Sequence, residues 1–210
     1  MERIFKKRVV PVVTLDKVED AVPVAEALQA GGLDIIEITF RTPAAEPSVR
    51  AIKKAFPKML VGAGTLLDAE QVKRAKDAGA QFGVAPGLND VVVKASLALG
   101  MPFVPGVMTP SEVERALMLG CKLQKFFPAS LAGGLEMVKA FAGPYAHTGV
   151  KFIPLGGLNV KNAPDYLKLP IVAAIGGSWI ADKKTIAEKN WTQITASARE
   201  ILGIVAAMTG

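Results

Sequence analysis

Short runs of β-branched and other apolar residues alternate along the chain with longer segments in which apolar residues recur every three or four positions. The short runs are typical of buried strands, and the longer segments have the period of amphipathic helices. We predict eight strands, at Val9–Thr14, Leu33–Phe40, Met59–Ala63, Gln81–Val84, Pro102–Pro105, Lys122–Phe127, Lys151–Pro154 and Ile171–Ile175. The helical period is clear between them, for example at Val18–Ala30, Ala69–Ala78, Asp90–Leu99 and Ser111–Leu119.

Three of these helices carry both a start signal and a stop signal. Side-chain oxygens cap helix N-termini, and glycine favours the left-handed residue that ends a helix. The expected pairs of start and stop are Asp68 with Gly79, Asn89 with Gly100, and Thr109-Pro110 with Gly120.

Eight apolar strands, each followed by a helix, predict a parallel sheet covered by helices. The count favours closure into a (β/α)8 TIM barrel over an open doubly wound sheet, and no linker interrupts residues 1–210. We therefore predict an α/β fold with a single domain. Active sites of such barrels lie where the strands end.

Composition narrows the setting of this fold. Half of the 210 residues are hydrophobic, which suits one domain with a sizeable core. We find no apolar stretch long enough for a membrane helix and no signal-peptide pattern at the start. The single cysteine, Cys121, cannot form an internal disulfide and fits a reducing cytoplasm.

The formal charge of +6 has two interpretations. It can be a solvated basic surface, or it can attract anionic partners. Lysine and arginine are scattered and aromatic residues are sparse, which argues against nucleic acid as the partner. Small anionic substrates remain compatible with either interpretation.

The second predicted strand carries charged residues where apolar ones are expected. Because strand side chains alternate, Ile36 and Ile38 share one face, and Glu37 and Arg41 share the other. The apolar face should lie under the helices, so Glu37 and Arg41 should point into the barrel or its mouth. A buried carboxylate needs a partner or a function. A purely structural ion pair is the alternative.

A lysine occupies the middle of the sixth predicted strand. Lys125 should share its face with Leu123 and Phe127, and Phe126 should lie opposite. Burial and cationic neighbours lower the pKa of an amine from about 10.4, and a neutral amine is the nucleophile that forms a Schiff base. The alternative is a lysine that extends to the barrel mouth or pairs with a carboxylate.

Glycine-rich segments stand at three strand ends, at Gly62–Thr65, Pro154–Gly157 and Gly176–Trp179. Glycines let backbone amides approach an anion, and a short helix after Ser178 would add its positive N-terminus. Phosphate sites recur at the seventh and eighth loops of this fold, although such glycines also make tight turns.

The chain lacks the residues that several other kinds of active site need. A zinc or iron site usually takes several histidine or cysteine ligands, whereas the chain has His147 and Cys121 alone, so we predict no metal. His147, in a turn-like segment, is expected at the surface. Neither a Gly-x-Ser-x-Gly elbow nor a complete dinucleotide fingerprint is present.

Taken together, these motifs resemble the KDPG/KHG aldolases (2-dehydro-3-deoxy-6-phosphogluconate and 4-hydroxy-2-oxoglutarate aldolases) over nearly the whole chain. The matching segments are Val10–Val13, Glu37–Thr42, Gly62–Thr65, Ala85–Leu88, Pro105–Thr109, Lys125–Ala129 and Gly176–Trp179. Glu-x-x-x-Arg and Lys-Phe-Phe-Pro together make the match specific.

The resemblance implies a class I pyruvate aldolase of the Entner–Doudoroff pathway. It would cleave 2-keto-3-deoxy-6-phosphogluconate reversibly to pyruvate and glyceraldehyde 3-phosphate, and cleavage of 4-hydroxy-2-oxoglutarate to pyruvate and glyoxylate would be a further reaction. Lys125 would form the imine and Glu37 would move protons. The implied binding residues are Arg41 and Thr65 for the carboxylate, Pro86 and Phe127 for the pocket wall, and Gly156, Gly157, Gly177 and Ser178 for the phosphate. No cofactor is implied, because the lysine imine serves as the electron sink, and family members are commonly homotrimers.

Two positions depart from the family's pattern. Leu155 stands where gluconate-type enzymes carry threonine and galactonate-type relatives an apolar residue, so a galactonate-type or broad-range aldolase is the nearest alternative. Thr14 stands where some relatives have arginine, with no effect that the sequence reveals. A metal-free phosphate-binding isomerase and a non-catalytic assembly module are further alternatives, although buried charges at Glu37, Arg41 and Lys125 would bring nothing to the latter.

Overall fold

The computed structural model of the protein describes residues 1–208, so the last two residues of the predicted domain lie outside it. The strands are β1 Val9–Val13, β2 Ile35–Thr39, β3 Leu60–Gly64, β4 Phe82–Val84, β5 Phe103–Val104, β6 Gly106–Val107, β7 Leu123–Phe126, β8 Lys151–Pro154 and β9 Ile175–Gly177. The helices are α1 Glu2–Lys7, α2 Ala21–Ala30, α3 Ala45–Ala55, α4 Ala69–Asp77, α5 Asp90–Ala98, α6 Pro110–Met118, α7 Gly134–Tyr145, α8 Ala163–Leu167, α9 Lys183–Ala187 and α10 Trp191–Ala207. Short 3₁₀ turns lie at Val18–Asp20, Ala146–Thr148 and Trp179–Ala181.

Parallel strand pairing forms the wall of a closed barrel. One sheet has the order β5-β4-β3-β2-β1-β9, and a second has the order β6-β7-β8. A bridge between Phe152 and Val172 joins β8 to the segment before β9, and the Lys125 amide donates to the Pro105 carbonyl at the other junction (2.8 Å). The predicted (β/α)8 barrel is confirmed.

Two predicted strands differ from the structure by more than shifts of one or two residues at their ends. The fifth, predicted at Pro102–Pro105, is reduced to β5 at Phe103–Val104, and β6 follows at Gly106–Val107 after Pro105, because proline has no N–H to donate to a ladder. The eighth was placed at Ile171–Ile175 but forms at Ile175–Gly177, where Gly176 and Gly177 pair with Val10 and Pro11 of β1. These glycines therefore belong to the strand and not to the loop after it.

The predicted helix caps are present. Asp68 and Asn89 accept hydrogen bonds from the amides of Gln71 and Val91. Thr109 and Glu112 form a reciprocal capping box, with Pro110 in the first turn of α6. The stop residues Gly79, Gly100 and Gly120 all have positive φ, which is the left-handed conformation that glycine adopts without strain.

Helix α1 is an element that the sequence analysis did not predict. Its Ile4 is fully buried and packs with residues of the barrel interior, among them Ile35, Leu60 and Phe82. Because Ile35 and Leu60 start their strands, α1 covers the N-terminal end of the barrel. The opposite end carries the loops in which barrel chemistry lies.

The apolar core has two layers, one between strands and helices and one inside the barrel. Ile36, Ile38 and Phe126 belong to the outer layer, whereas Ile35 and Leu123 belong to the interior. This alternation confirms the predicted facing of β2 and β7. Within residues 1–208, none of the helices has the length and apolar character needed to span a membrane.

Candidate active site

Glu37 is a carboxyl group inside the barrel. It lies in the middle of β2, is 3% exposed, and its Oε1 has no hydrogen-bond partner among the described residues. The side chain lies across Gly64 of β3, where a Cβ atom would come within 2.0 Å of Oε1. A buried carboxyl oxygen without a partner is costly, and such groups are usually explained by a ligand or a reaction.

Lys125 points into the same interior from β7, on the side of the barrel opposite β2. It is 6% exposed, and its Nζ lies 5.0 Å from the centroid of the Phe127 ring. The described residues contain no carboxylate within 4.0 Å of this amine, so the pairing alternative from the sequence analysis is not realised as a direct ion pair.

Burial shifts the pKa of both groups. It raises the pKa of the Glu37 carboxyl, against the opposing charges of Lys125 and Arg41. It lowers the pKa of Lys125, and the Arg41 charge lowers it further, whereas Glu37 acts in the opposite direction. Both shifts favour the uncharged forms, an acid that can donate a proton and an amine that can attack a carbonyl.

A small cavity inside the barrel joins Glu37, Lys125 and Leu155. Its remaining lining is formed by Val10, Phe82, Val84, Val104, Ile153 and Gly176. Leu155 packs directly over Gly176, where a Cβ would come within 2.4 Å of its Cδ1. The walls around the two ionisable groups are thus mostly apolar, which sustains the pKa shifts.

Arg41 lies at the mouth of this cavity and is exposed. Its guanidinium donates to Thr14 Oγ1 over 2.7 Å, and Thr14 Oγ1 lies 2.8 Å from Thr39 Oγ1. Because the Arg41 charge acts on the pKa values of both Glu37 and Lys125, the three charged groups occupy one site. The structure therefore brings together the three residues that the sequence analysis singled out.

Thr65 follows β3 and has a backbone φ of 59°. A β-branched residue in this left-handed region is a genuine outlier, and such strain costs on the order of 1–3 kcal/mol. Strained residues cluster at functional sites. Thr65 is half-buried beside Gly64, the residue that Glu37 crosses.

The loop after β8 has the conformation of an anion cradle. Gly156 and Gly157 both have positive φ, and neither amide donates to a protein group within residues 1–208. Ser178 is exposed and precedes the 3₁₀ turn at Trp179–Ala181, whereas Gly177 is buried in β9 under the Trp179 ring. Free amides and an exposed hydroxyl are the groups that bind phosphate.

The remaining predicted residues lie close to this site. Phe127 is half-buried, and its ring would contact a Cβ placed on Gly156 (3.4 Å). Pro86 lies two residues after β4 and is half-buried, with its carbonyl against Gly106, and it is not among the residues that line the cavity. The predicted surface position of His147 is confirmed, and Cys121 is a buried free thiol whose pKa burial raises to about 11.

Other features of the site were read differently from sequence or were missed. The Gly62–Thr65 segment was predicted to end its strand after Ala63 and offer amides to an anion, but Gly62 and Gly64 both lie within β3, where Phe82 and Glu37 fill the space beside them. Ser130 was not singled out, yet its hydroxyl lies against Gly157. Such contacts join different strand ends, and the spacing of residues in one strand does not reveal them.

A buried lysine with a lowered pKa, a buried carboxyl group with a raised pKa and loop amides without a protein partner at the C-terminal mouth of a barrel are typical of imine-forming barrel enzymes. Residues 1–197 match the family model described as KDPG and KHG aldolase. A 2-dehydro-3-deoxy-phosphogluconate aldolase of Treponema pallidum (strain Nichols) is 46% identical over 207 residues, which cover 99% of this chain and 98% of that protein. The chain belongs to the KDPG and KHG aldolase family.

Two solved structures extend this similarity to the fold. The KDPG aldolase of Legionella pneumophila, with pyruvate captured at low pH as a covalent carbinolamine intermediate, has a TM-score of 0.89 and 41% identity, covering 93% of this chain and 95% of that one. The 2-keto-3-deoxy-6-phosphogluconate aldolase of Zymomonas mobilis ZM4 with 3-phosphoglycerate has a TM-score of 0.86 and 38% identity, covering 97% and 95%.

Proposed function

We propose that this protein cleaves 2-keto-3-deoxy-6-phosphogluconate reversibly to pyruvate and glyceraldehyde 3-phosphate, with Lys125 as the nucleophile and Glu37 as the general acid and base. The observation that carries this assignment is the placement of the two buried side chains on one small cavity, where burial raises the pKa of Glu37 and lowers the pKa of Lys125. The relatives named as such aldolases, one of them holding pyruvate as a carbinolamine, support the same reaction.

Formation of the imine uses the uncharged form of each group. The Lys125 amine attacks the C2 carbonyl carbon of the keto acid, and a proton passes from the attacking nitrogen to the carbonyl oxygen to give a carbinolamine. Protonated Glu37 then donates its proton to the departing hydroxyl group, so that water leaves and a protonated imine remains. Glu37 is left as a carboxylate.

Cleavage returns the proton to Glu37. The carboxylate removes the proton of the C4 hydroxyl, the C3–C4 bond breaks, and its electron pair enters the imine as an enamine while the aldehyde departs. Glu37 then protonates the enamine at C3, and water attacks the resulting imine as its proton returns to the Glu37 carboxylate. The carbinolamine that forms collapses, with its hydroxyl proton passing to nitrogen, so that pyruvate leaves and the Lys125 amine is restored. The imine is the electron sink of this sequence, and we propose that no metal or other cofactor takes part.

In this proposal, the carboxylate end and the phosphate end of the substrate are bound by different loops. Arg41 and Thr65 hold the carboxylate, and Pro86 and Phe127 shape the apolar wall. Gly156, Gly157, Gly177 and Ser178 receive the distal phosphate, and 4-hydroxy-2-oxoglutarate is a shorter second substrate. The proposal includes a cytoplasmic homotrimer, with the single buried thiol of Cys121 suited to a reducing compartment.

Borohydride trapping tests the central step. Incubation with pyruvate and borohydride should give a stable mass increase that peptide mapping assigns to Lys125. Lys122→Met serves as the matched control, because Lys122 is an exposed lysine of the same segment and should leave the adduct unchanged. Absence of an adduct in the wild-type protein, or its persistence in Lys125→Ala, would exclude the imine mechanism.

Leu155 supports a second candidate, a galactonate-type or broad-range pyruvate aldolase. The leucine side chain reaches over Gly176 into the cavity and brings no hydroxyl group to the substrate. We expect the wild-type protein to discriminate weakly between the gluconate and galactonate epimers, and Leu155→Thr to shift the activity ratio towards gluconate. A strong gluconate preference in the wild-type protein would rule out this second candidate.

A further inference from the structure

A chain of side-chain hydrogen bonds at the barrel mouth ends on the guanidinium of Arg41. Thr14, directly after β1, accepts from Arg41 Nη2 over 2.7 Å, and its Oγ1 lies 2.8 Å from that of Thr39. Thr39 is 2% exposed and stands two residues beyond Glu37 on the inward face of β2. The exposed guanidinium is thus connected through two hydroxyl groups to the rigid barrel wall.

The loops after β1 and β2 are joined a second time beside this chain. Thr42 Oγ1 donates to the Leu15 carbonyl, and the Arg41 amide donates to the Thr39 carbonyl over 2.9 Å. Because the backbone on both sides of Thr14 and Arg41 is held in this way, loss of the Thr14 hydroxyl should change the Arg41 side chain more than the loop itself.

A hydroxyl group suits this position because it can act as donor and acceptor at once. Thr14 Oγ1 accepts from the charged guanidinium and still shares a hydrogen with Thr39. A hydrogen bond to a charged donor is stronger than a neutral one, and it reduces the rotamer freedom that a long arginine would lose when it binds a carboxylate.

We propose that Thr14 is a positioning residue that, with Thr39 behind it, holds the Arg41 guanidinium over the barrel mouth in readiness for the carboxylate of the keto-acid substrate. The inference rests on the proposed function, because it takes Arg41 as the carboxylate-binding group. Thr14 itself contacts the arginine and not the reacting atoms. Its effect should therefore fall on substrate binding and not on the chemical step.

Thr14→Val keeps the shape of the side chain and removes only the hydroxyl group. We expect the pyruvate concentration that half-saturates borohydride trapping at Lys125, and the KM for the aldol substrate, to rise by about 5- to 20-fold. We expect kcat to change by less than about two-fold, and Thr14→Ser to restore both binding values. Thr195→Val, which removes a hydroxyl that bonds the Ala27 carbonyl between α10 and α2, should leave all values unchanged.

A double-mutant cycle with Arg41→Ala tests whether Thr14 acts through the arginine. In the Arg41→Ala background, Thr14→Val should cause no further loss of binding, because the partner of the hydroxyl is gone. Additive losses, an unchanged KM in Thr14→Val, or failure of Thr14→Ser to restore binding would each overturn the inference. Absence of trapping in the wild-type protein would instead refute the proposed function, so the two failures are distinguishable.

Discussion

At the scale of single residues, Glu37 and Lys125 differ from the rest of the barrel interior in carrying ionisable groups. The interior otherwise consists of residues such as Val10, Phe82 and Val104, which offer these groups little solvation. Each group is therefore shifted towards its neutral form, and that form is the one needed to start imine chemistry. The apolar surroundings that make these charges costly to bury therefore also favour the neutral forms that the reaction needs.

Removal of the acid should slow the reaction without loss of the fold. We expect Glu37→Gln to lower kcat by about 10²–10⁴-fold, the range for a general acid and base, because an amide has the size of the carboxyl group but cannot exchange its proton. Steady-state kinetics measure the effect, with circular dichroism as the control for folding. Near-normal turnover would remove Glu37 from the mechanism.

Lys125 should make stability depend on pH. Its folded pKa lies below the ordinary value of 10.5, so between the two values the unfolded chain binds more protons and stability rises with pH. At pH 6 the buried amine is costly, and we expect Lys125→Met to be more stable than the wild-type protein by about 1–2 kcal/mol.

This stability difference should narrow as the pH approaches 10.5, because the lysine of the unfolded wild-type chain then loses the proton that burial disfavours in the folded state. Urea unfolding at a series of pH values measures both proteins, and Lys122→Met, with its exposed side chain, should follow the wild-type curve. A difference that stays constant over this range would contradict the assignment of a lowered pKa to Lys125.

At the scale of elements, glycines within the strands make room for the side chains that form the site. Gly62, Gly64 and Gly176 leave room beside their strands for Phe82, Glu37 and Leu155 respectively. A glycine at each of these three positions is therefore as much a requirement of the packing as the large side chain that it faces. This requirement explains why glycines that looked like parts of anion-binding loops lie within strands.

Gly64→Ala should test this arrangement, because its new Cβ would occupy the position of the Glu37 carboxyl group. The carboxyl would have to move, and we expect kcat to fall by about 10²-fold with a loss of stability of about 1–3 kcal/mol. Gly203→Ala is the matched control, because that helical glycine has open space around its Cα and alanine should be tolerated there. Unchanged activity in Gly64→Ala would show that Glu37 does not need its present position.

At the scale of the whole molecule, the two ends of the barrel have separate tasks. The C-terminal end carries the candidate site, and the N-terminal end is covered by α1 through the buried Ile4. Ile4 packs at the N-terminal end of the barrel, far from the C-terminal strand ends that carry the candidate site. Its packing should therefore affect stability and leave catalysis intact.

Ile4→Ala should therefore lower the free energy of unfolding by about 2–5 kcal/mol, the usual effect of removing a buried aliphatic side chain, with kcat and KM unchanged at a temperature where the variant is folded. Phe5→Ala is the control in the same helix, since Phe5 is 43% exposed and should cost less than about 1 kcal/mol. A large change in kcat for Ile4→Ala would mean that the two ends of the barrel are coupled.

The amino-acid sequence was sufficient for the barrel, for the caps of α4, α5 and α6, and for the inward facing of Glu37 and Lys125. These features depend on local periodicity, which each segment carries by itself. Helix α1 was missed because its six residues are too few to show a period, and Gly176 was misplaced because only its partner strand β1 includes it in the sheet.

The tertiary structure alone decided which distant residues meet. The contact of Thr14 with Arg41, the position of Glu37 across Gly64, and the packing of Leu155 over Gly176 each join two strands whose relative register no local pattern specifies. The pKa shifts of Glu37 and Lys125 likewise arise only when closure of the barrel removes both groups from water. The sequence of the separate strands thus identifies the reacting groups, whereas their contacts and pKa shifts depend on the closed barrel.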